Sequence, residues 1–444
     1  MMKLRGLIIA IVALGGLTGF LYWSNKHKPA ETTEASAELP PKILALNDAD
    51  ISKVVLKRKN GDTLALEKNT AGKWQIVSPA PFAADQSAVS SMLGTFSSLT
   101  SDRLVEEKAT SLESYGLTSP SLEVDLTEKD LQGQKLLIGD DTITGNSVFA
   151  KLEGDPRVFT MPRYDKTSLD KTANDLRDKR LLTAEPDKIS RLDLITSKQD
   201  IEFGRSKDNW QIVKPKPLRA DGSQVDELVR KLTSARMDLS VPGIDPKKAA
   251  SAFAAGTLVA TARITAQSGT QELQIRKSKS DYYAKSSVID GVYKVASDLG
   301  QGLGKNLDDF RNKKLFDLGF EDPDKIEMHS GGKSYFVTKG GEDWWSGNGK
   351  KLDEDTAQSF VDDVRDLAAS KFVDAESATP SIDLSVISHG GKSVEHVVIS
   401  RIGDSYFARR ENEPAIYQLD AKTVNDLQAA ADAMKPAAIT PPAK

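Results

Sequence analysis

Apolar and polar residues alternate along this chain in short runs, and three longer runs switch to helical spacing. Ile51-Ser52-Lys53-Val54-Val55-Leu56, Ile189-Ser190-Arg191-Leu192-Asp193-Leu194 and Ile326-Glu327-Met328 each open an alternating stretch. Polar turns follow, Asn60-Gly61-Asp62 after the first and Gly331-Gly332-Lys333 after the third, and a second strand comes next. Period-two alternation bounded by Gly and Asn predicts β-hairpins. A third strand carries Trp74-Gln75-Ile76-Val77-Ser78-Pro79-Ala80-Pro81, then Trp210-Gln211-Ile212-Val213-Lys214-Pro215-Lys216-Pro217, and finally Trp344-Trp345. Proline lacks a ladder donor, so the paired prolines should end the first two of these strands.

Helical spacing begins just beyond. Asp85 precedes Val89, Met92, Leu93 and Phe96; Asp221 precedes Val225, Leu228, Val229 and Leu232; Thr356 precedes Phe360, Val364 and Leu367. Each polar residue stands four before the first apolar one, which predicts an N-cap acceptor at Asp85, Asp221 and Thr356. Four more short strands should follow, in the first copy near 122–127, 135–139, 147–152 and 158–162, with a closing helix near 166–177. Tyr282–Lys285 and Val292–Val295, then Tyr406–Arg409 and Ile416–Leu419, match the last two of them. The closing helices end in basic phrases, Leu176-Arg177-Asp178-Lys179-Arg180-Leu181 and Phe310-Arg311-Asn312-Lys313-Lys314-Leu315. Cations suit the carbonyl end of a helix, so a capping role is expected, with a contact between copies as the other reading.

These recurrences read as one module of about 135 residues written three times. Strands mixed with single helices, without strict β-α alternation, predict an α+β fold of mostly antiparallel strands with two helices in each copy. The expected division is a tail and anchor at 1–28, a linker at 29–47, modules at 48–184, 185–320 and 321–436, and a disordered tail at 437–444.

Gly6 to Trp23 carries no charge. At about 1.5 Å per residue it reaches roughly 27 Å, enough to cross a bilayer core. It ends in the bulky Phe20-Leu21-Tyr22-Trp23 and not in a small-residue cleavage site, which favours a retained anchor over a cleaved signal. Lys3 and Arg5 before it are nearly balanced by Lys26 and Lys28 after it. The short leading tail tilts the reading towards a single pass, with the bulk of the chain outside the cytoplasm. Pro29 to Lys42 is rich in Ala, Glu, Thr and Pro and reads as a flexible tether.

Composition then narrows the function. The 444 residues exceed one hydrophobic core, and a net charge of −4 offers no basic face for nucleic acid. Without cysteine there is no disulfide, thiolate or cysteine-bound metal chemistry. The four histidines, His27, His329, His389 and His396, are too scattered for most zinc sites. Gly331-Gly332-Lys333-Ser334 and Gly390-Gly391-Lys392-Ser393 imitate the end of a phosphate-binding loop, but Glu327 and Val386 stand where its first glycine belongs, and both should be hairpin turns. Gly300, Gly302 and Gly304 miss the dinucleotide spacing, with Lys305 in the last glycine's place. Asp140-Asp141 and Asp353-Glu354-Asp355 lack the surrounding pattern of a calcium loop and read as a turn and a helix start. No catalytic, cofactor or metal residue is therefore assigned, and the neighbourhood of His389 and His396 is the one weak candidate for a site peculiar to a single copy.

Tyr115-Gly116-Leu117-Thr118-Ser119-Pro120, Leu136-Leu137-Ile138-Gly139, the tryptophan–proline strand and Leu176–Leu181 resemble the envelope family catalogued as domain of unknown function four-three-four-zero, over residues from about 45 to 436. Phe253-Ala254-Ala255-Gly256 and Ala378-Thr379-Pro380 echo the first phrase only in part. The resemblance implies an anchored extracytoplasmic accessory encoded beside gliding-type ABC transporter subunits, and it supplies no catalytic residues. The expectation is a non-enzymatic binding or scaffolding protein at the inner membrane, beside an ABC permease or ATPase subunit. The alternative is a cell-envelope hydrolase or a lipid or polysaccharide carrier.

Overall fold

The computed structural model describes residues 42–438, apart from 45, 130–132, 208, 240–245, 320 and 375–378. The apolar run from Gly6 to Trp23 lies outside them. Among the described residues no helix is long and apolar enough to cross a membrane. The chain groups into two compact units that divide after Asp178. The first holds one antiparallel sheet and the second holds two, each with its helices and its own hydrophobic core.

In the first sheet, β1 (Ile51–Arg58), β2 (Leu64–Lys68), β3 (Trp74–Ser78) and β4 (Phe82–Ala83) lead into α1 (Gln86–Ser98). After β5 (Arg103–Glu106) come β6 (Leu122–Glu128), β7 (Gly133–Asp141), β8 (Ser147–Leu152) and β9 (Val158–Pro162), then α2 (Arg163–Leu169) and α3 (Ala173–Leu176). The second sheet begins with β10 (Ile189–Ile195), β11 (Asp200–Ser206), β12 (Asn209–Lys214) and β13 (Leu218–Arg219), followed by α4 (Gly222–Thr233) and α5 (Pro246–Ala255). It is completed by β14 (Thr257–Ala266), β15 (Gly269–Ser278), β16 (Asp281–Ser286), β17 (Val292–Val295) and α6 (Ser297–Leu303). The third has β18 (Lys325–Ser330), β19 (Lys333–Gly340), β20 (Asp343–Ser346), α7 (Glu354–Asp366) and β21 (Lys371–Val373). Then come β22 (Pro380–Ser388), β23 (Ser393–Ile402), β24 (Ser405–Arg410), β25 (Ile416–Leu419) and α8 (Ala421–Ala433).

The strand orders are β4-β3-β2-β1-β6-β7-β8-β9-β5, β13-β12-β11-β10-β14-β15-β16-β17 and β20-β19-β18-β22-β23-β24-β25-β21. In each case two antiparallel meanders meet at a central antiparallel pair: β1 with β6, β10 with β14, β18 with β22. Every such contact is local except that central pairing and the return of β5 and β21 to the far edge. Alternation places the apolar side chains of each strand on the face that the helices cover. Val54 and Leu56, Leu192 and Leu194, and Ile326 and Met328 are accordingly buried.

The helix starts hold with one correction. Asp85 caps α1 and Asp221 caps α4, but the cap of α7 is Asp353, which accepts from the Thr356 amide at 3.2 Å. Thr356 lies inside the helix and donates its hydroxyl back to the Asp353 carboxylate. The stripe begins at the fully buried Ala357, one turn earlier than the bulky residues suggest, and continues through Phe360, Val361 and Val364. With that shift the three caps stand at the same four-residue distance from their buried faces.

Two further expectations change. The closing helix of the first sheet is broken between α2 and α3. Thr172 caps α3 in a reciprocal pair with Asp175, and Arg58 donates to Asp170 at 2.5 Å and to the Lys171 carbonyl. Among the described residues the first sheet thus carries three helices, the second also carries three because of the added α5, and the third carries two, where two each were expected. The first basic phrase does begin at a helix cap, since Arg177 is the C-cap of α3 and its amide donates to the Ala173 carbonyl, but both phrases then run on as extended straps. Arg177 is extended and bridges Ala84, and Asp178 donates to the Ala83 carbonyl. In the second unit Asn312 likewise donates to Arg219, and the chain then pairs onward, Leu315 to Leu367 and Ala369 to Lys313. Leu352 bridges Pro436 in the same manner. The reason is geometric: the orphan carbonyls of a helix end can be met in many ways, while the exposed donors and acceptors beside an edge strand offer an extended segment a place to bridge. At the two ends of the described residues, the Ile43 amide donates to the Leu99 carbonyl and the Ala437 amide to the Lys351 carbonyl.

Candidate functional site

The residues behind the family resemblance form a packing lock in the first unit. A short turn over Glu113–Tyr115 ends at Gly116, whose φ of 65° suits glycine. A side chain there would collide with the Asp140 carboxylate, and one at Gly139 would lie 2.1 Å from the Tyr115 carbonyl. Leu117 is buried, and the Tyr115 ring packs 4.9 Å from Phe149 while its hydroxyl donates to Glu106 at 2.6 Å. That hydrogen bond raises the Tyr115 pKa, with burial adding to it. The Ser121 hydroxyl donates to the Ile138 and Gly139 carbonyls. The two glycine phrases, distant in sequence, thus clamp the crossover onto β7, and chemistry on a substrate is not required of any of them. In the second sheet Phe253 takes part in a different contact, with the Arg276 guanidinium 5.2 Å above its ring, and α5 lies where the first sheet has only a turn. Ala378 lies outside the described residues.

A cluster of arginines and carboxylates joins the second and third sheets within the second unit. Arg219 on β13 donates to the Lys314 carbonyl at 2.9 Å and to the Asp317 carboxylate, and lies 3.6 Å from Glu413. Burial opposes its charge, but Asp317 and Glu413 outweigh that and raise its pKa. Arg410 pairs with Glu395 at 2.7 Å and Glu413 at 3.0 Å and donates to the Leu315 carbonyl. Glu413 also accepts the Tyr417 hydroxyl at 2.5 Å, and burial together with this carboxylate pushes Tyr417 up to about 12. Arg311, from the basic phrase, stacks 3.3 Å from the Phe372 ring. Two half-buried arginines and three carboxylates compensate one another here. Of these, Arg219 and Asp317 border a cleft of about 650 Å³ that is also lined by Trp210, Asn312 and His389.

His389 and His396 are not brought together as one site. His389 sits in the β22–β23 turn with φ 56° and contacts the Ser388 hydroxyl at 2.9 Å. His396 lies on β23, with Nε2 at 3.0 Å from Asp383 and Nδ1 at 3.8 Å from Glu411. A constellation that the linear sequence hides lies on the β18–β19 hairpin instead. His329 Nδ1 is 2.7 Å from the Ser334 hydroxyl and its Nε2 is 2.9 Å from Glu327. Ser334 borders a cavity of about 820 Å³ lined also by Tyr335, Phe336, Leu352, Asp432 and Met434. The connectivity is that of nucleophile, base and acid. The setting is open, however: the side chains of His329 and Glu327 retain 43% and 32% exposure, and Lys325 shares the carboxylate at 3.4 Å. Only strand register makes this visible, since His329 faces Ser334 across the ladder.

The glycine motifs resolve as turns and packing. Gly331 and Gly332, at φ 58° and 79°, form the two-residue connection of the β18–β19 hairpin. Gly390 and Gly391 lie in the β22–β23 turn, also at positive φ. Gly300 lies in α6 against the Tyr282 ring, where a methyl group would sit 2.1 Å from an aromatic carbon. Asp141 pairs with Arg163 at 3.2 Å, and Asp353 is the cap described above. Among the described residues no group of three or more His, Asp or Glu side chains gathers to hold a metal ion.

Comparison with curated proteins finds no match. Among solved structures the chain is similar to the DNA polymerase sliding clamp from Pseudomonas aeruginosa at 10% identity, covering 85% of this chain and 93% of that one, with a TM-score of 0.18. A DNA polymerase III beta subunit (putative) from Eubacterium rectale gives 8% identity, 85% and 93% coverage, and 0.17. At those scores neither bears on fold or function. The profile of a family described as "Domain of unknown function (DUF4340)" matches residues 74–209 and again 210–384. The two matches open at Trp74 and Trp210, so the repeat seen in the alternation pattern is also a repeat of the family itself. Matched twice in tandem over more than half its length, the chain belongs to this family of unknown function.

Proposed function

We propose that the chain is a membrane-anchored, extracytoplasmic and non-enzymatic binding or scaffolding protein, built from three copies of one module and working beside an ABC-type transporter. The observation that carries this reading is what the three sheets keep in common. They share a capped helix, a buried tryptophan and a paired extended strap, while their solvent faces and charged clusters differ. A surface that changes from copy to copy over a constant frame suits the display of binding faces better than a shared reaction. Co-purification from gently solubilised membranes should recover a permease or ATPase subunit; recovery of the chain alone under conditions that preserve other complexes would count against it. A C-terminal alkaline phosphatase fusion should be active, and inactivity would invert the proposed orientation.

The Ser334–His329–Glu327 contact supports a second reading, a hydrolase of envelope material with its site on the third sheet. A fluorophosphonate probe decides between them. The scaffolding reading expects no labelling that depends on Ser334. Labelling lost in Ser334→Ala and weakened in His329→Gln would establish the hydrolase. Native mass spectrometry of the purified chain tests the carrier alternative through a ligand retained in the cavity beside Ser334.

A further inference from the structure

Ile143, at the tip of the β7–β8 hairpin, exposes its entire side chain, and Tyr164 on the first turn of α2 is 70% exposed. Turn tips ordinarily carry small polar residues, so a bare isoleucine there contributes nothing to the core. The tip is nevertheless tightly built. Thr142 and Gly145 close it through the Ser147 and Thr142 carbonyls at 2.8 Å each. The Arg163 amide donates to Asn146 at 3.0 Å and its guanidinium to Gly145 at 3.3 Å, which stitches the start of α2 to the hairpin. Ile143 and Tyr164 therefore stand on one rigid platform.

That platform lies close to where the chain enters the unit. Lys42 bridges Thr100 and Ile43 donates to Leu99. Two residues beyond Thr100, the Asp102 carboxylate accepts the Ser147 hydroxyl at the base of the tip, at 2.7 Å. The preceding residues run back to the uncharged segment Gly6–Trp23. Residues 24–41 can span at most about 65 Å even when fully extended. An exposed isoleucine and an exposed tyrosine on two segments stitched together by Arg163 match the interfacial zone of a bilayer, where an aromatic ring keeps its hydroxyl wet and its body apolar. Arg163 and Lys166 both reach Asp141, at 3.2 and 3.9 Å, and Asp102 and Asp165 stand nearby. The flank therefore has no cationic excess, and its attraction to lipid is apolar.

We propose that the Ile143 tip and Tyr164 insert into the interface of the bilayer that anchors the chain, laying the first unit against the membrane; this rests on the anchored reading above. Because the chain has no cysteine, Ile143→Cys gives a single labelling site. The full-length variant, carrying an environment-sensitive nitrobenzoxadiazole probe, would be reconstituted into phosphatidylcholine nanodiscs with and without a nitroxide-bearing lipid. The expected result is a blue-shifted emission, quenched by the nitroxide and much reduced when Tyr164→Asp is added. Exchange of half the lipid for phosphatidylglycerol should change it little. A chain that elutes apart from the discs would overturn the anchored reading, and the insertion with it. A chain that co-elutes with its probe aqueous and unquenched would overturn the insertion alone, and insertion that requires anionic lipid would overturn its apolar basis.

Discussion

Trp210 and Trp344 occupy the same place in the second and third sheets, yet the chain leaves them by different routes. Each indole is buried, and each N–H donates to a side chain five residues after a helix cap: Asp226 at 2.8 Å in one and Gln358 at 3.1 Å in the other. Each ring also lies beneath a cation, Arg205 at 5.4 Å and Lys339 at 4.3 Å. In the second sheet Pro215-Lys216-Pro217 then leads to Leu218, which pairs with Ile212 and packs on the core. In the third sheet Gly347-Asn348-Gly349 makes a turn two residues shorter, and the exposed Lys350 stands where Leu218 would. The cavity beside Ser334 opens along that turn. The corner thus separates what the frame demands, namely a tryptophan, an indole acceptor and a cap, from the loop that is free to be rewritten.

The largest effect should come from the part held constant. Trp210→Ala and Trp344→Ala each remove a large buried ring, at a cost of about 3–5 kcal/mol. That is a substantial share of the roughly 5–15 kcal/mol that stabilises an ordinary domain. Calorimetry should show the second unit melting earlier in both variants while the first unit keeps its own transition. Equal losses support one shared corner. A tolerated Trp344→Ala would break the comparison and mark the third corner as a ligand platform.

Exchanging the variable part is the next step. Leu218→Lys should cost about 1–2 kcal/mol, since the side chain is only partly buried. Lys350→Leu places an apolar side chain beside the open cavity and should leave stability nearly unchanged or slightly raised. Any ligand held there should be retained less well. Urea melts of the two variants, with native mass spectrometry of the second, measure both arms.

How much of this could be read from the sequence differs by residue. Asp85 and Asp221 were legible because a bulky apolar residue stands four positions later. Asp353 was not, because Ala357 is a weak hydrophobic signal that becomes a buried position only once the helix has docked. The tryptophan strands and their proline ends were legible from local chemistry, and β3 and β12 end at Ser78 and Lys214, immediately before the prolines. The destination of the basic phrases was not, since Arg177 and Asn312 find partners more than ninety residues back in the chain. Ser334 and His329 lie only five residues apart, yet their contact depends on a two-residue turn that sets the register of the pair. The charged joint around Arg219 draws on four separate segments and had no local signature at all.

The caps give a smaller, sharper test. Asp221→Ala should cost about 1 kcal/mol by leaving the Gln224 amide without its acceptor. Asp353→Ala should lower the melting temperature in the same direction, and Thr356→Ala should do so less, because its amide still finds Asp353. If Thr356→Ala proved the more damaging of the two, the cap would have to be moved back to the threonine.

The smallest effect separates the corners by pH. Lys339, the cation over Trp344, is held by Asp322 at 3.0 Å, and Arg365 of α7 reaches the other carboxylate oxygen at 2.5 Å. Burial works against the Asp322 charge, but the hydrogen bonds from Lys339 and Arg365 prevail and hold its pKa below the ordinary 3.8. The folded state therefore binds this proton less readily than the unfolded chain. The resulting stability is fully present above the unfolded value and is lost as pH falls through the lower folded one. With 29% of the side chain exposed, solvent screening limits the contribution to about 0.2–1 kcal/mol. Acidification below the usual carboxylate range should consequently loosen the third corner, and Asp322→Asn should reduce that part of the pH dependence. Arg205 takes the equivalent place over Trp210, so tryptophan-to-phenylalanine variants that leave one indole emitting at a time can follow each corner separately. An acid transition at Trp344 that is unmoved by Asp322→Asn would show that this carboxylate does not hold the third corner together.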